Sequence, residues 1–125
     1  MTVVKVVDAS ALAALLFGEP EAEQVAVLLD GARLAAPHLL GFELANVCAA
    51  KCRRHPDRRE ALLAAFRLRD RLAIQAMEVD HAATLGIGLT TGLTAYDASY
   101  LWLARQLGAE LVTLDGELQR AAAIR

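Results

Sequence analysis

Val3-Val4-Lys5-Val6-Val7-Asp8-Ala9-Ser10 passes from a β-branched run straight to an acid that can open a helix. An apolar run of this kind is expected of a strand buried on both faces of a parallel sheet. The pattern returns near the other end as Glu110-Leu111-Val112-Thr113-Leu114-Asp115, again an apolar run closed by Asp. Between them, Arg33–Pro37 and Ala73–Val79 read as two further short strands.

Helical segments alternate with these strands. Asp8-Ala9-Ser10 leads into a helix from Ala11 to Phe17, closed by Gly18 and Pro20, and a second helix follows over Glu21–Ala32. Leu39–Arg54 reads as a helix with Leu40, Leu44, Val47 and Cys48 on one face, and Asp57–Arg71 as another after His55-Pro56. Asp80–Gly86 is expected to be a short helix and Gly88–Leu93 a Gly/Thr-rich loop. Ala95–Leu107 is a helix stopped by Gly108, and Asp115–Ile124 a last helix. With neither repeat nor linker, residues 1–125 read as one domain. The class is α/β: three layers, a short parallel sheet of four strands, and helices on both faces. In such sheets ligands bind outside the carboxyl ends of the strands.

The hydrophobic fraction of 56% with only 3 prolines indicates a packed core rather than disorder. No apolar run is long enough to span a membrane. The N-terminus enters a strand with no basic leader or cleavage site, so a cytoplasmic protein is expected. Cys48 and Cys52 read as helix thiols, since the three scattered histidines complete no ligand spacing. Net charge is −2, but Lys51–Arg71 carries eight basic residues against three acidic ones. Arg53, Arg54, Arg58 and Arg59 in that segment are candidates for RNA phosphate contacts; a solvated face or a protein interface explains them equally well.

The acids carry the chemistry. Asp8 and Asp115 each follow a strand at its carboxyl end, while Asp97 and Glu43 stand in the first turns of helices beginning near Ala95 and Leu39. Each has a plain structural explanation: Asp8 and Asp115 can cap the following helices, Thr94 and Asp97 have capping-box spacing, and Glu43 suits a helix N-terminus. Together, four acids at one sheet edge suit a hard divalent cation, which prefers carboxylate and water oxygens. Without such a cation they would also repel a phosphodiester.

Four pieces in order resemble the PIN-domain ribonucleases, and within them the VapC-type toxins of toxin–antitoxin pairs. They are Val6-Val7-Asp8-Ala9-Ser10-Ala11-Leu12, Phe42-Glu43-Leu44-Ala45-Asn46-Val47, Leu93-Thr94-Ala95-Tyr96-Asp97-Ala98-Ser99-Tyr100 and Leu111-Val112-Thr113-Leu114-Asp115. The resemblance spans essentially the whole chain. It implies that Asp8, Glu43, Asp97 and Asp115 are catalytic and bind one or two Mg²⁺ ions, with Mn²⁺ as a substitute. Ser10 and Thr113 match the family's supporting hydroxyls. It further implies endonucleolytic hydrolysis of RNA, a cognate antitoxin protein as partner, and a homodimer. Many relatives continue into a short final strand, so a fifth strand is left open at the C-terminal edge.

Other residues receive simpler readings. Glu117 decorates the first turn of the last helix or assists the metal, and Asp80 caps its helix. Tyr100 and Trp102 suit core or dimer contacts, whereas Tyr96 beside Asp97 is open between packing and base stacking. Gly86-Ile87-Gly88 has the wrong spacing and context for a dinucleotide loop. Two other functions compete: a catalytically silent RNA- or protein-binding module, and a phosphatase using Asp8 as nucleophile. The latter usually has a second Asp two residues on, where this chain has Ser10.

Overall fold

The computed structural model describes residues 2–124; Met1 and Arg125 lie outside the described residues. Four parallel strands, β1 (Val4–Val7), β2 (Arg33–Pro37), β3 (Gln75–Met77) and β4 (Glu110–Val112), lie in the order β3-β2-β1-β4. Val6 stands between Ala35 of β2 and Leu111 of β4. Val6 and Val7 are fully buried, as the β-branched run requires. Lys5, the one charge in that run, donates to the Leu28 carbonyl at 2.6 Å and pairs with Glu110 of β4 at 3.6 Å. Its charge is thereby compensated without breaking the strand.

The chain steps outward from β1 to β2 to β3, then returns to lay β4 on the other side of β1. That reversal places the topological switch point between β1 and β4, where open parallel sheets leave a crevice at their carboxyl ends. The outward steps run through α1 (Ala9–Leu16), α2 (Ala22–Leu29), α3 (Leu40–Arg54) and α4 (Arg59–Arg67). The return runs through α5 (His81–Thr91) and α6 (Ala95–Leu107), and α7 (Gly116–Ala123) closes the chain. α6 packs across β1, β2 and β4, while α1 packs on α2 and α3. Leu12, Leu44, Leu103 and Leu118 from four different helices meet in the core.

Two stretches depart from the sequence reading. The helix expected over Asp57–Arg71 is broken: Pro56–Arg58 and Leu68–Leu72 are 3₁₀ turns flanking α4. Pro56 opens the first of these turns, its missing N–H and fixed φ suiting a helical start. After the second, Ala73 adopts φ 51°, a left-handed turn into β3. Conversely, the expected Gly88–Leu93 loop is mostly helix, since α5 runs on to Thr91. Thr90 and Thr91 donate their hydroxyls to Gly86 and Ile87 carbonyls at 2.9 and 2.7 Å, which satisfies them within the helix. Gly88 is there for packing: a Cβ on it would lie 3.0 Å from the Leu93 carbonyl oxygen. Gly92, at φ 78°, ends the helix in a conformation that favours glycine.

Asp80 caps α5 through the Ala83 N–H at 3.0 Å, as expected. Cys48 is buried and donates to the Leu62 carbonyl at 3.7 Å; Cys52 is half-buried, and neither forms a disulfide. Ile124 follows α7 in extended backbone, and no fifth strand occurs among the described residues. No helix among them is long and apolar enough to cross a membrane.

Candidate active site

Asp8 leaves β1 with its backbone N–H bonded to the Val112 carbonyl of β4 at 3.2 Å, fixing it at the switch point. Its Oδ1 accepts from Ser10 Oγ at 2.7 Å and from the Ala11 N–H at 3.0 Å, which caps α1. Its Oδ2 accepts from Thr113 Oγ1 at 2.5 Å. Thr113 Oγ1 in turn accepts from the Asp115 N–H at 3.0 Å, and Ser10 Oγ accepts from the Leu114 N–H at 2.9 Å. The two hydroxyls thus stitch the end of β1 to the segment after β4, although more than 100 residues separate them in sequence.

Asp115 caps α7, its Oδ1 accepting from the Leu118 N–H at 2.9 Å. Asp97 lies in the first turn of α6, where its N–H donates to Thr94 Oγ1 at 3.1 Å. The capping explanation therefore holds for Asp8 and Asp115, and Thr94 caps α6. Capping does not exhaust the carboxylates, because each ionised group offers about four lone-pair sites. The described residues give Asp115 Oδ2 and both oxygens of Asp97 no donor.

Glu43, in the first turn of α3, accepts from Tyr100 Oη at 2.5 Å. Tyr100 is almost fully buried and sits one turn beyond Asp97 on α6, so one helix carries an acid and the hydroxyl that orients another. The sequence favoured a core or dimer contact for Tyr100 and did not pair it with Glu43. Its three-residue spacing from Asp97, which puts both on one helical face, was the available signal.

Electrostatics ties the four acids together. Burial pushes the Asp8 carboxyl above its ordinary range against the pull of its three hydrogen bonds, and the Asp115 charge adds to the rise. Glu43 is raised by burial and by the charges of Asp97 and Asp8, with the Tyr100 bond opposing. Asp97 is raised by burial and then by Asp115, Asp8 and Glu117. Tyr100 is driven strongly upward by burial and by its bond to Glu43. All the charges acting on Asp8, Glu43 and Asp97 are negative. Glu117, at the start of α7, thus both decorates its helix and joins the acidic field.

Such a set fits a hard divalent cation by its donor chemistry: oxygen only, uncompensated, and partly oriented by neighbouring groups. Among the described residues, no three His, Cys, Asp or Glu side chains stand together closely enough to hold a metal ion by themselves.

The arginines lie elsewhere. Glu43 and Arg53 stand ten residues apart on α3, a rise of about 15 Å. Arg53 and Arg59 instead line a groove of about 540 Å³ with Cys48, Cys52, Leu63 and Phe66. Arg53, Arg54, Arg58 and Arg59 are exposed and form no salt bridge among the described residues. Lys51 pairs with Glu19 at 2.8 Å, and Arg69 stacks over Phe66 at 4.4 Å, so part of the basic segment serves the fold.

The PIN domain family model matches residues 5–124. Ribonuclease VapC3 of Pyrobaculum aerophilum is 34% identical over 121 residues, covering 90% of each chain. Ribonuclease VapC9 of Mycobacterium tuberculosis is 35% identical over 115 residues, which is 88% of this chain and 84% of that protein. The crystal structure of PAE2754 from Pyrobaculum aerophilum superposes with a TM-score of 0.72 at 31% identity, covering 97% of this chain and 87% of that one. VapC20 of Mycobacterium tuberculosis, a sarcin–ricin loop cleaving toxin, superposes with a TM-score of 0.69 at 16% identity over 94% of each chain; at that identity it supports the fold alone.

Proposed function

This chain belongs to the PIN-domain family, with VapC ribonucleases among its relatives, and on that premise we propose that it is a Mg²⁺- or Mn²⁺-dependent endoribonuclease, the toxin of a toxin–antitoxin pair. The observation that carries this reading is the acidic field at the switch point: besides burial, the Asp115 charge raises Asp8 and Asp97, Asp8 also raises Asp97, and the Asp97 and Asp8 charges raise Glu43, with no positive charge among the causes.

Asp97 and Asp115 would hold the cation through their open oxygens, with Asp8 and Glu43 supplying further lone pairs. Bound there, the ion would acidify a water, polarise a phosphoryl oxygen of RNA and offset charge on the leaving oxygen. The protein's own contribution is orientation. Ser10 and Thr113 fix the Asp8 carboxylate, the Leu118 N–H fixes Asp115, and Tyr100 fixes Glu43 Oε1. Side chains held before the substrate arrives need no reorganisation during the reaction. Asp8 suits this supporting position better than that of a phosphatase nucleophile, since it is only 5% exposed and already accepts three hydrogen bonds.

The expected partners are RNA, a cognate antitoxin and a second copy of the chain, in the cytoplasm. The apolar groove between α3 and α4 supports an antitoxin contact, and exposed Leu85 and Leu89, four apart on α5, support an apolar contact between copies. The test is cleavage of a mixed-sequence oligoribonucleotide with Mn²⁺, with chelator, and with a folded Asp97→Asn variant. Activity is expected only in the first case. Undiminished cleavage by the variant would overturn the assignment, and metal-independent RNA binding without cleavage would favour the silent-module alternative.

A further inference from the structure

A pocket opens at the carboxyl ends of β2 and β3. We propose that this pocket, walled by His38, Glu78, His81, Thr84, Tyr96 and Ser99, is a nucleobase subsite for the nucleotide beside the scissile phosphate. The proposal deepens the ribonuclease reading and rests on it.

Position is the first argument. Pro37-His38-Leu39 joins β2 to α3, whose first turn carries Glu43, and Met77-Glu78-Val79 leaves the carboxyl end of β3. Ala95-Tyr96 opens α6 immediately before Asp97. The pocket walls are therefore continuous in sequence with two of the four acids. Tyr96, in the pocket wall, directly precedes Asp97 in the first turn of α6, so the opening borders one of the acids.

Chemistry is the second. The pocket encloses about 550 Å³, within the roughly 300–1,000 Å³ of small-molecule sites. It is lined by neither lysine nor arginine, and Glu78 adds an acid, so it suits a neutral ring rather than a phosphate. Tyr96 is 66% exposed, and Ser99 Oγ donates to its carbonyl at 2.6 Å, fixing the backbone beneath an open aromatic face. Bases stack on such faces with little regard to sequence. Glu78 supplies acceptor oxygens and the His38 and His81 imidazoles supply ring nitrogens, the group types that read a base edge.

Thr84 is the third. Its Oγ1 is buried without a hydrogen-bond partner among the described residues, while Thr90 and Thr91 on the same helix both bond to carbonyls four residues back. Buried hydroxyls in folded proteins almost always have partners. Thr84 also lines the pocket, and rotation of its side chain would turn this hydroxyl from behind the pocket wall toward a base edge.

The test separates this subsite from the ribonuclease assignment. First, free nucleosides, which carry no phosphate and need no metal, are titrated into the isotope-labelled chain and followed by amide NMR. Shifts are expected at Leu39, Val79, Thr84, Tyr96 and Ser99, and their absence at millimolar nucleoside overturns the subsite whether or not RNA is cleaved. Second, one abasic residue is scanned along a cleaved oligoribonucleotide. At one position beside the cut its KM should rise about tenfold, and Tyr96→Ala should raise KM on intact RNA similarly while leaving the abasic substrate unaffected. A penalty for Tyr96→Ala that is equal on both substrates refutes base recognition there. Thr84→Val, which keeps the side chain's shape, should show the same selectivity.

Discussion

Thr113→Val removes one oxygen from the site while keeping nearly the same shape, so its effect isolates two hydrogen bonds. Thr113 Oγ1 donates to Asp8 Oδ2 at 2.5 Å and accepts from the Asp115 N–H at 3.0 Å. A bond to a charged group contributes about 1.5–3 kcal/mol, and a partly buried N–H left unpaired costs about 1 kcal/mol more. The loss at neutral pH is therefore roughly 2.5–4 kcal/mol. It should depend on pH. Asp8 has a raised folded pKa, so the stability linked to it is complete below its ordinary value and lost as pH rises through the folded one. The Thr113 bond opposes that rise by favouring the ionised form, so valine pushes the folded value higher and deepens the loss at neutral pH. Toward pH 4, where the raised pKa of Asp8 favours its protonated form, only a neutral hydrogen bond and the Asp115 N–H are lost, and the cost falls to about 1.5–2.5 kcal/mol. Urea unfolding followed by circular dichroism, in chelator at both pH values, measures this directly. A loss below about 1 kcal/mol at neutral pH, or one equal at the two pH values, refutes the claim that Thr113 stabilises a buried Asp8 carboxylate.

Asp97→Asn should raise the metal-free melting temperature at neutral pH by about 1–3 °C, by removing one of several repelling charges, and should abolish both the Mn²⁺-induced rise and RNA cleavage. For the same reason the metal-free protein should gain stability from these acids as pH falls toward the carboxylate range, since Asp8, Glu43 and Asp97 all have raised folded pKa values; a calorimetric scan in which their Asn or Gln variants show the same pH trend would contradict this. On α5, Gly86→Ala meets no neighbour and should stabilise the fold by about 0.5–1 kcal/mol, whereas Gly88→Ala, whose Cβ meets the Leu93 carbonyl at 3.0 Å, should cost about 1 kcal/mol; denaturant midpoints distinguish the two. If the exposed arginines grip RNA, Arg58→Ala with Arg59→Ala should reduce the slope of log affinity against log salt by about 1–2, and an unchanged slope assigns them to a protein interface.

Much of this protein was legible in its sequence because its signals are local. The β-branched run at Val4–Val7, the Asp8, Asp80 and Thr94 caps, and the stop at Gly108 each depend on a few adjacent residues. The α/β class and most element bounds follow from them. Local signals failed over Gly88–Leu93, whose Gly/Thr composition suits a loop: α5 runs on to Thr91, with the Thr90 and Thr91 hydroxyls bonded to carbonyls of their own helix and Gly88 leaving room for the Leu93 carbonyl. They failed again beyond Arg67, where the chain turns through a left-handed Ala73 without any glycine or proline to announce it.

The sequence by itself set the four acids at the ends of strands and the starts of helices, since strand and cap patterns extend over only a few residues. Only the tertiary structure decided which of them act on one another, because β4 pairs with β1 across a reversal in strand order that no local pattern encodes, and this sets the Asp115 charge against Asp8. The same pairing brings Thr113 to Asp8, and the packing of α6 brings Tyr100 to Glu43. The coupling of these carboxylates is a property of distance through a low-dielectric interior, which exists only once the chain has folded.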